Sequence, residues 1–482
     1  MKNLQKLLFK VPINSIYGNT NILIENLSYD SRKIKKNSIF FAIKGESYNG
    51  LDYINESISK GAIAILCDSI PTKINKKLVY VIVDNVEIAL GIIASNFYEN
   101  PSSKLKLIGI TGTNGKTTSA TLLYNLFNDF KISSGLISTI SIRYKKFFFK
   151  TNYTTPDPIK INSFLKSMID SGVSYCFMEV SSHGINQNRI SGLEFYGAVF
   201  TNISHDHLDY HKNFKNYRDT KKSFFDNLSR ESFALTNIDD KNGLYMLQNT
   251  KAKKYTFSIN KHANFNLKIS ENLFSGMLLN FENNEFWTKL VGRFNAFNIL
   301  TVISVSKILE LDTISVLKKI SKMDNVNGRF QIFNSKKNIK VIIDYAHTPI
   351  ALENVLNTIN EIRTKNENII TVVGCGGNRD KKKRSIIGKK AALLSDKVIL
   401  TSDNPRNENP KIIIDDMIKG VFPSDFKKII KVIDREKAII ESEKISQPGD
   451  IVLIAGKGHE TYQEINGKKK PFDDYEIVKK YF

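Results

Sequence analysis

Residues 109–118 read GITGTNGKTT, which places Gly112 and Gly115 just before Lys116-Thr117-Thr118. Backbone N–H groups in a glycine-rich turn that opens a helix can surround a phosphate, and the helix N-terminus adds a favourable field. A lysine at that point reaches the β- and γ-phosphates, and the hydroxyl after it can hold Mg2+. The pattern departs from GxxxxGK[ST] in one place. The leading glycine, Gly109, comes one residue early, and Ile110 fills the expected position. The stretch predicts nucleotide binding and is silent on the reaction.

Two further segments carry metal-ligand chemistry. In MEVSSHG (178–184), Glu179 is a hard oxygen donor suited to Mg2+. The histidines and aspartates of HDHLDYH (205–211) would also suit zinc. No paired cysteine supports zinc, however, and the phosphate loop already calls for Mg2+. Several of these groups could equally cap a loop. The functional reading is stronger for Glu179 and His207 than for His205 and His211. Four polar motifs, DYAHTP, GCGGNRD, TSDNPR and AGKGHE, each follow an apolar run near the C-terminal end. Parallel strands put such loops along one edge, so the four imply a shared polar site. Arg406 in DNPR can take a carboxylate through a bidentate pair. A surface arginine after a proline turn is the alternative, and the residues alone leave both open.

These groups need a scaffold. The run 105–110 predicts a strand and the periodic stretch from Lys116 to Phe130 a helix. More strands are predicted at 175–180 and 197–203, and Asp157-Pro158 is a good helix start. The alternation points to a mainly parallel sheet with helices on both faces. Residues 262–291 alternate apolar and polar and predict a small antiparallel patch. Strands at 340–344, 369–374, 397–401 and 450–456 predict a doubly wound C-terminal region. The segment LGIIASNFYENPSSK reads as a helix ending at Asn100-Pro101, followed by a polar linker. The expected class is therefore α/β in three domains: 1–100, a central P-loop domain at 101–330, and a Rossmann-like domain at 331–482.

Bulk properties agree with a globular enzyme. The chain has 482 residues, 41% hydrophobic and 24% charged, too long for one core. No apolar run approaches the roughly 20 residues of a membrane span, and no signal peptide is evident. A cytoplasmic protein is expected, with its three scattered cysteines buried or idle. The net charge of +22 could signal nucleic-acid binding. The lysines are spread along the whole chain without aromatic interleaving, so a compositional bias is favoured, with anionic small-molecule substrates.

The loop GTNGKTT resembles the ATP loop of the Mur ligases and folylpolyglutamate synthetases, and motifs over essentially the full length resemble the Mur ligases. That resemblance implies ATP as substrate, bound by Gly112, Thr113, Asn114, Gly115, Lys116, Thr117, Thr118, Asn298 (in GRFNAFN), Arg329 and Asp344. It implies Mg2+ held by Thr117 and Glu179, and a second Mg2+ shared by Glu179 and His207. Lys221 matches the lysine that the family carbamylates, with its neighbour Lys222 as rival; the carbamate would face the metal. Lys116, Lys221 and His207 would be catalytic. Ser31, Thr154, Thr155, Ser181, Gln187 and Arg189 match contacts to a UDP-muramyl dipeptide, although Tyr153 stands where relatives often carry Asn. DNPR resembles the diaminopimelate-adding branch. There Arg379, Asp403, Asn404, Pro405, Arg406, Gly456 and Glu460 would bind meso-diaminopimelate. The implied reaction is ATP-driven amide formation through an acyl phosphate, in a monomer without nucleic-acid or membrane partners. The alternatives are an L-lysine-adding sister ligase, a nucleic-acid-stimulated P-loop ATPase and a folylpolyglutamate synthetase.

Overall fold

The computed structural model describes residues 1–45, 48–71, 74–151 and 153–482; the side chains of Leu208 and Asp209, inside HDHLDYH, are also outside the description. Three large sheets follow one another along the chain. The first has five strands, ordered Ser15–Tyr17, Val79–Ile82, Ala62–Cys67, Ser38–Phe41, Asn26–Ser28, with the Ser15–Tyr17 edge antiparallel and the rest parallel. Its inner strands are buried along nearly their whole length, as parallel strands covered on both faces must be.

The second sheet has nine strands, and Lys106–Thr111 lies inside it between Tyr175–Glu179 and Gly197–Phe200, parallel to both. Glu179 pairs with Ile110, and Phe200 with Thr111. Three chain segments therefore leave the sheet at one level on one edge: the glycine loop, the segment after Glu179, and the segment leading to His207. On one face Leu122, Leu123, Leu126 and Phe127 of the helix Lys116–Asp129 pack on Ile108, Ile110 and Phe177. On the other, Leu165 and Met168 of Pro158–Asp170 and Phe225 of Phe214–Asp226 close the core. Asp157 caps its helix as expected, accepting from the Lys160 N–H. The antiparallel patch is present as Lys268–Leu273, Gly276–Phe281 and Asn284–Thr288.

The third sheet has six strands, ordered Gln331–Asn334, Lys340–Asp344, Ile451–Ala455, Ile369–Cys375, Lys397–Ser402, Ile429–Lys431. Only the Gln331–Asn334 pairing is antiparallel, and apolar clusters cover both faces. This is the doubly wound α/β arrangement. A fully buried ion pair, Arg435 with Asp474 at 2.7 Å, ties the last helix to this sheet through a further bond from Arg435 Nη2 to Ala455 O at 3.0 Å.

Two local expectations need correction. The helix before Pro101 ends at Phe97 rather than at Asn100. Glu99 (φ 65°) and Asn100 (φ 51°) are both left-handed, and a residue before proline is disfavoured in the helical region. The stretch after it is not a polar linker either. Pro101–Ser103 forms a tight turn in which Pro101 and Ser102 are buried, and the Ser102 hydroxyl accepts from the Glu194 N–H. The edge strands Gln331–Asn334 and Ile429–Lys431, and a hairpin of Tyr462–Ile465 with Lys468–Pro471, were not anticipated. All three cysteines are free and buried. No helix among the described residues is long and apolar enough to cross a membrane.

Candidate active site

The glycine loop is shaped by contacts to the neighbouring strand's exit. Gly112 has φ 151°, and a Cβ there would lie 1.9 Å from Thr201 Oγ1; at Gly115 (φ 86°) a Cβ would lie 2.6 Å from Asn298 Oδ1. Only glycine fits either position. The N–H groups of Thr113 and Asn114 donate to Asn202 O and Oδ1 at 2.8 and 3.0 Å. The loop's first donors are thus engaged by protein, and the free donors at a helix start begin with Gly115, Lys116, Thr117 and Thr118. Asn298 is buried and packs beneath the loop, 3.4 Å from Ser119 Oγ.

Lys116 Nζ donates to Gly112 O (2.7 Å) and Thr113 O (2.8 Å). Lys221, nearly fully buried, donates to the same Gly112 carbonyl at 3.1 Å. Burial, and then the Lys116 charge, hold the Lys221 amine well below the usual lysine range, against the opposing pull of Asp206. Lys222 turns the other way and pairs with Asp226 at 2.7 Å. Of the two rivals, Lys221 is the one at the loop.

Glu179 is fully buried behind it, its Oε1 accepting from Thr139 N (2.7 Å) and its Oε2 from the Thr139 hydroxyl (3.1 Å). The His207 ring stands edge-on to His183 at 4.8 Å and is 42% exposed. Arg329 reaches from the end of the middle segment to Thr117, Nη2 to Oγ1 at 3.3 Å, and its guanidinium lies 4.5 Å from the Tyr345 ring centroid. Asp344 accepts from Phe330 N and Ala346 N at 2.7 Å each; burial raises its carboxyl, with Arg329 opposing.

Beside this lies one cavity of about 2910 Å³. Ser31, Thr154, Ser181, Gln187 and Arg189 line it together with Lys116 and His207, and Arg379, Asp403, Asn404, Arg406, Gly456 and Glu460 give it a wall from the third sheet, the far wall below. Asn298, Arg329 and Asp344 are not among its lining residues. Thr155 and Glu179 are buried behind the wall. Thr155 joins Ser181 (3.0 Å between hydroxyls), and Arg189 Nη1 donates to Thr155 O at 2.7 Å. The Ser31 hydroxyl donates to Glu56 Oε2 at 2.7 Å. Tyr153 is exposed and carries the Arg189 guanidinium 5.0 Å from its ring centroid.

On the far wall Arg406 is 24% exposed, with Nη1 donating to Gly377 O (2.7 Å) and Nε 3.2 Å from Glu464 Oε2. Pro405, just before it, contributes backbone: its carbonyl is 2.0 Å from where a Cβ on Gly377 would sit, so that turn accepts only glycine. Arg379 is exposed. Asn404 Nδ2 donates to Glu460 Oε2 at 2.9 Å. Lys457, which the motif reading passed over, is fully buried between Glu460 (2.9 Å), Asn404 (3.2 Å) and Asp403 (3.5 Å). Its place inside AGKGHE was the available signal. Asn202 and Thr139 were also missed, and neither lies in a pattern that marks it.

Family models match in three stretches: the Mur ligase family catalytic domain over 23–98, the Mur ligase middle domain over 110–306 and the Mur ligase glutamate ligase domain over 328–458. The chain is 47% identical over 479 residues to the UDP-N-acetylmuramoyl-L-alanyl-D-glutamate--2,6-diaminopimelate ligase of Phocaeicola vulgatus, covering 99% of each chain. It is 48% identical to the protein of the same name from Cytophaga hutchinsonii, covering 99% of this chain and 98% of that one. A solved structure of a ligase of that name superposes with a TM-score of 0.69 at 28% identity, covering 100% of this chain and 98% of the other. The ADP complex of the MurF ligase from Thermotoga maritima shares the fold, with a TM-score of 0.61 at 20% identity over 89% of this chain and 93% of that one. With matched stretches in all three regions and full-length relatives at this identity, the chain belongs to the Mur ligase family.

Proposed function

We propose that this chain joins meso-2,6-diaminopimelate to UDP-N-acetylmuramoyl-L-alanyl-D-glutamate at the expense of ATP, a step in making peptidoglycan precursors. Full-length relatives of that name support the reading. The observation that carries it is that one cavity is lined by the phosphate-loop lysine, by Ser31, Ser181 and Arg189, and by Asn404, Arg406 and Glu460. Two substrates can meet there beside a nucleotide. Residues 1–100 and the wall at Thr154–Arg189 hold the UDP-muramyl dipeptide. Residues 101–330 hold ATP, and residues 331–482 hold the amino acid.

In the first step the D-glutamyl side-chain carboxylate attacks the γ-phosphorus, the bond to ADP breaks, and an acyl phosphate forms. Lys116 swings from its two loop carbonyls to the phosphate oxygens, and the N–H groups of Gly115 to Thr118 hold the rest. Thr113 and Asn114 shape the loop, Asn298 supports it towards the adenine side, and Arg329 and Asp344 contact phosphate and ribose. In the second step the amine of diaminopimelate attacks the acyl carbon, phosphate leaves, and the amine gives up its proton. Arg406 and Arg379 receive the distal carboxylate, while Asp403, Asn404, Glu460 and the Gly456 backbone face the distal ammonium. Lysine has no such carboxylate and would leave Arg406 unpaired.

The donors near the loop suit Mg2+: the Thr117 hydroxyl, the Glu179 carboxylate and the His207 imidazole. Among the described residues no group of three or more His, Cys, Asp or Glu converges on one point. That fits an ion which takes one or two protein ligands and completes its shell with water and phosphate oxygens. Bound there, Mg2+ would offset the charge on the transferring phosphoryl group. Lys221 as a carbamate would add an anion beside Thr111 and Gly112. We place the enzyme in the cytoplasm as a monomer acting on small molecules alone. Incubation with ATP and both substrates should yield the UDP-muramyl tripeptide by mass spectrometry, and no tripeptide would refute the assignment.

A further inference from the structure

We infer that Glu464, on the hairpin Tyr462–Ile465/Lys468–Pro471, is a positioning residue that sets amino-acid specificity by holding Arg406. The inference rests on the reading above, in which Arg406 receives the distal carboxylate. Arg406 is a non-glycine residue in the left-handed region, φ 50°. Such a conformation persists where the surroundings over-determine it. Here the hairpin does so: Arg406 N donates to Glu464 O (3.0 Å) and Asn466 N donates to Arg406 O (2.7 Å).

The side chain is held as firmly as the backbone. Glu464 Oε2 lies 3.2 Å from Nε, and Gly377 O takes one Nη1 hydrogen at 2.7 Å. A guanidinium has five N–H donors in a fixed fork. With Gly377 O on one Nη1 hydrogen and the Glu464 charge beside Nε, the Nη2 end is the one left to grip a carboxylate. Glu464 thus selects which edge of Arg406 faces the cavity.

The same residue reaches the other half of the site. Its backbone N–H donates to Asn404 Oδ1 at 2.9 Å, and Asn404 in turn donates to Glu460. Gln463, its neighbour, donates to Asp403 O at 2.7 Å. Charge points the same way. Around Arg406 the cations Arg379, Arg406 and Lys457 stand with the anions Asp403, Glu460 and Glu464, a mixed set suited to a head with one ammonium and one carboxylate. Without the Glu464 carboxylate the guanidinium keeps only the Gly377 carbonyl as a fixed side-chain partner.

The test is steady-state kinetics on the full chain with ATP, UDP-muramyl dipeptide and varied diaminopimelate. Glu464→Ala should raise KM for diaminopimelate about tenfold, the equivalent of one charge-assisted contact, with kcat and the KM for ATP within about twofold of wild type. Glu464→Gln keeps the side chain's shape and an oxygen beside Nε and should recover part of the loss. An unchanged diaminopimelate KM in Glu464→Ala overturns the inference. So does a parallel rise in the ATP KM, which marks general disruption, or a Gln variant as weak as Ala. A wild-type protein that couples no diaminopimelate would instead overturn the reaction on which the inference rests.

Discussion

Replacing Lys457 with Met tests how the amino-acid wall is held together. The ammonium is fully buried and touches Glu460 at 2.9 Å and Asn404 at 3.2 Å, with Asp403 at 3.5 Å. Methionine keeps most of the stem's volume and removes the charge. Asp403 and Glu460 would then face each other with no cation between them. Breaking a buried ion pair from one side costs about 3–5 kcal/mol. The carboxylate side chains retain 9% and 16% exposure, so water relieves part of that cost. We expect the low end, about 3 kcal/mol. In a folding unit of some 150 residues this lowers the melting temperature by about 6–12 °C. Calorimetry should show that shift in the transition of the C-terminal region, with a raised KM for diaminopimelate. Adding Glu460→Gln should restore part of the stability, because it removes one unpaired charge. A single variant that melts within about 2 °C of wild type, with no gain from the second change, would refute the reasoning.

Other expectations follow from the same geometry. Lys221→Ala should abolish ligation, whereas Lys222→Ala loses a pair with Asp226 that faces away from the loop and should leave turnover intact; equal losses in turnover would contradict this. Arg406→Ala should raise the diaminopimelate KM roughly a hundredfold with ATP affinity unchanged, since a charge-assisted fork is removed; an unchanged amino-acid KM discards the assignment. Burial first, then the nearby cations Arg329, His347 and Lys457, lower the His459 imidazole from 6.5 to about 3. As pH falls the unfolded chain therefore takes the proton first, and stability present above pH 6.5 is lost towards the folded value. His459→Gln should flatten that acid limb in melting temperature against pH, and matching slopes would rule the effect out.

The strongest sequence signals were those where backbone and chemistry coincide. The run before Gly109, the glycine turn and the periodic stretch after Lys116 all pointed to one strand–loop–helix, and the structure has it at Lys106–Thr111 and Lys116–Asp129. The four C-terminal polar motifs were legible as one edge because each followed a buried apolar strand. Edge strands such as Ile429–Lys431 were not, since two half-buried residues and one exposed residue carry no period. The helix before Pro101 was read too long because two left-handed residues, Glu99 and Asn100, have no glycine to announce them. Within the site, residues that serve other residues were invisible. Asn202 holds the loop and Thr139 holds Glu179 through contacts between segments far apart in the chain, and Lys457 joins its near neighbour Glu460 to the distant Asn404. Lys221 could be told from Lys222 by residue type in no way at all; the helix turn that aims one at Gly112 O and the other at Asp226 decides it.

The central claim is that a guanidinium on the far wall reads a carboxylate which only the diamino diacid carries. Its most direct test is kcat/KM for meso-diaminopimelate and for L-lysine, measured with ATP and UDP-muramyl dipeptide on the wild-type chain. A site built around that contact predicts a preference of roughly 10⁴ for diaminopimelate. Comparable values for the two amino acids would contradict it.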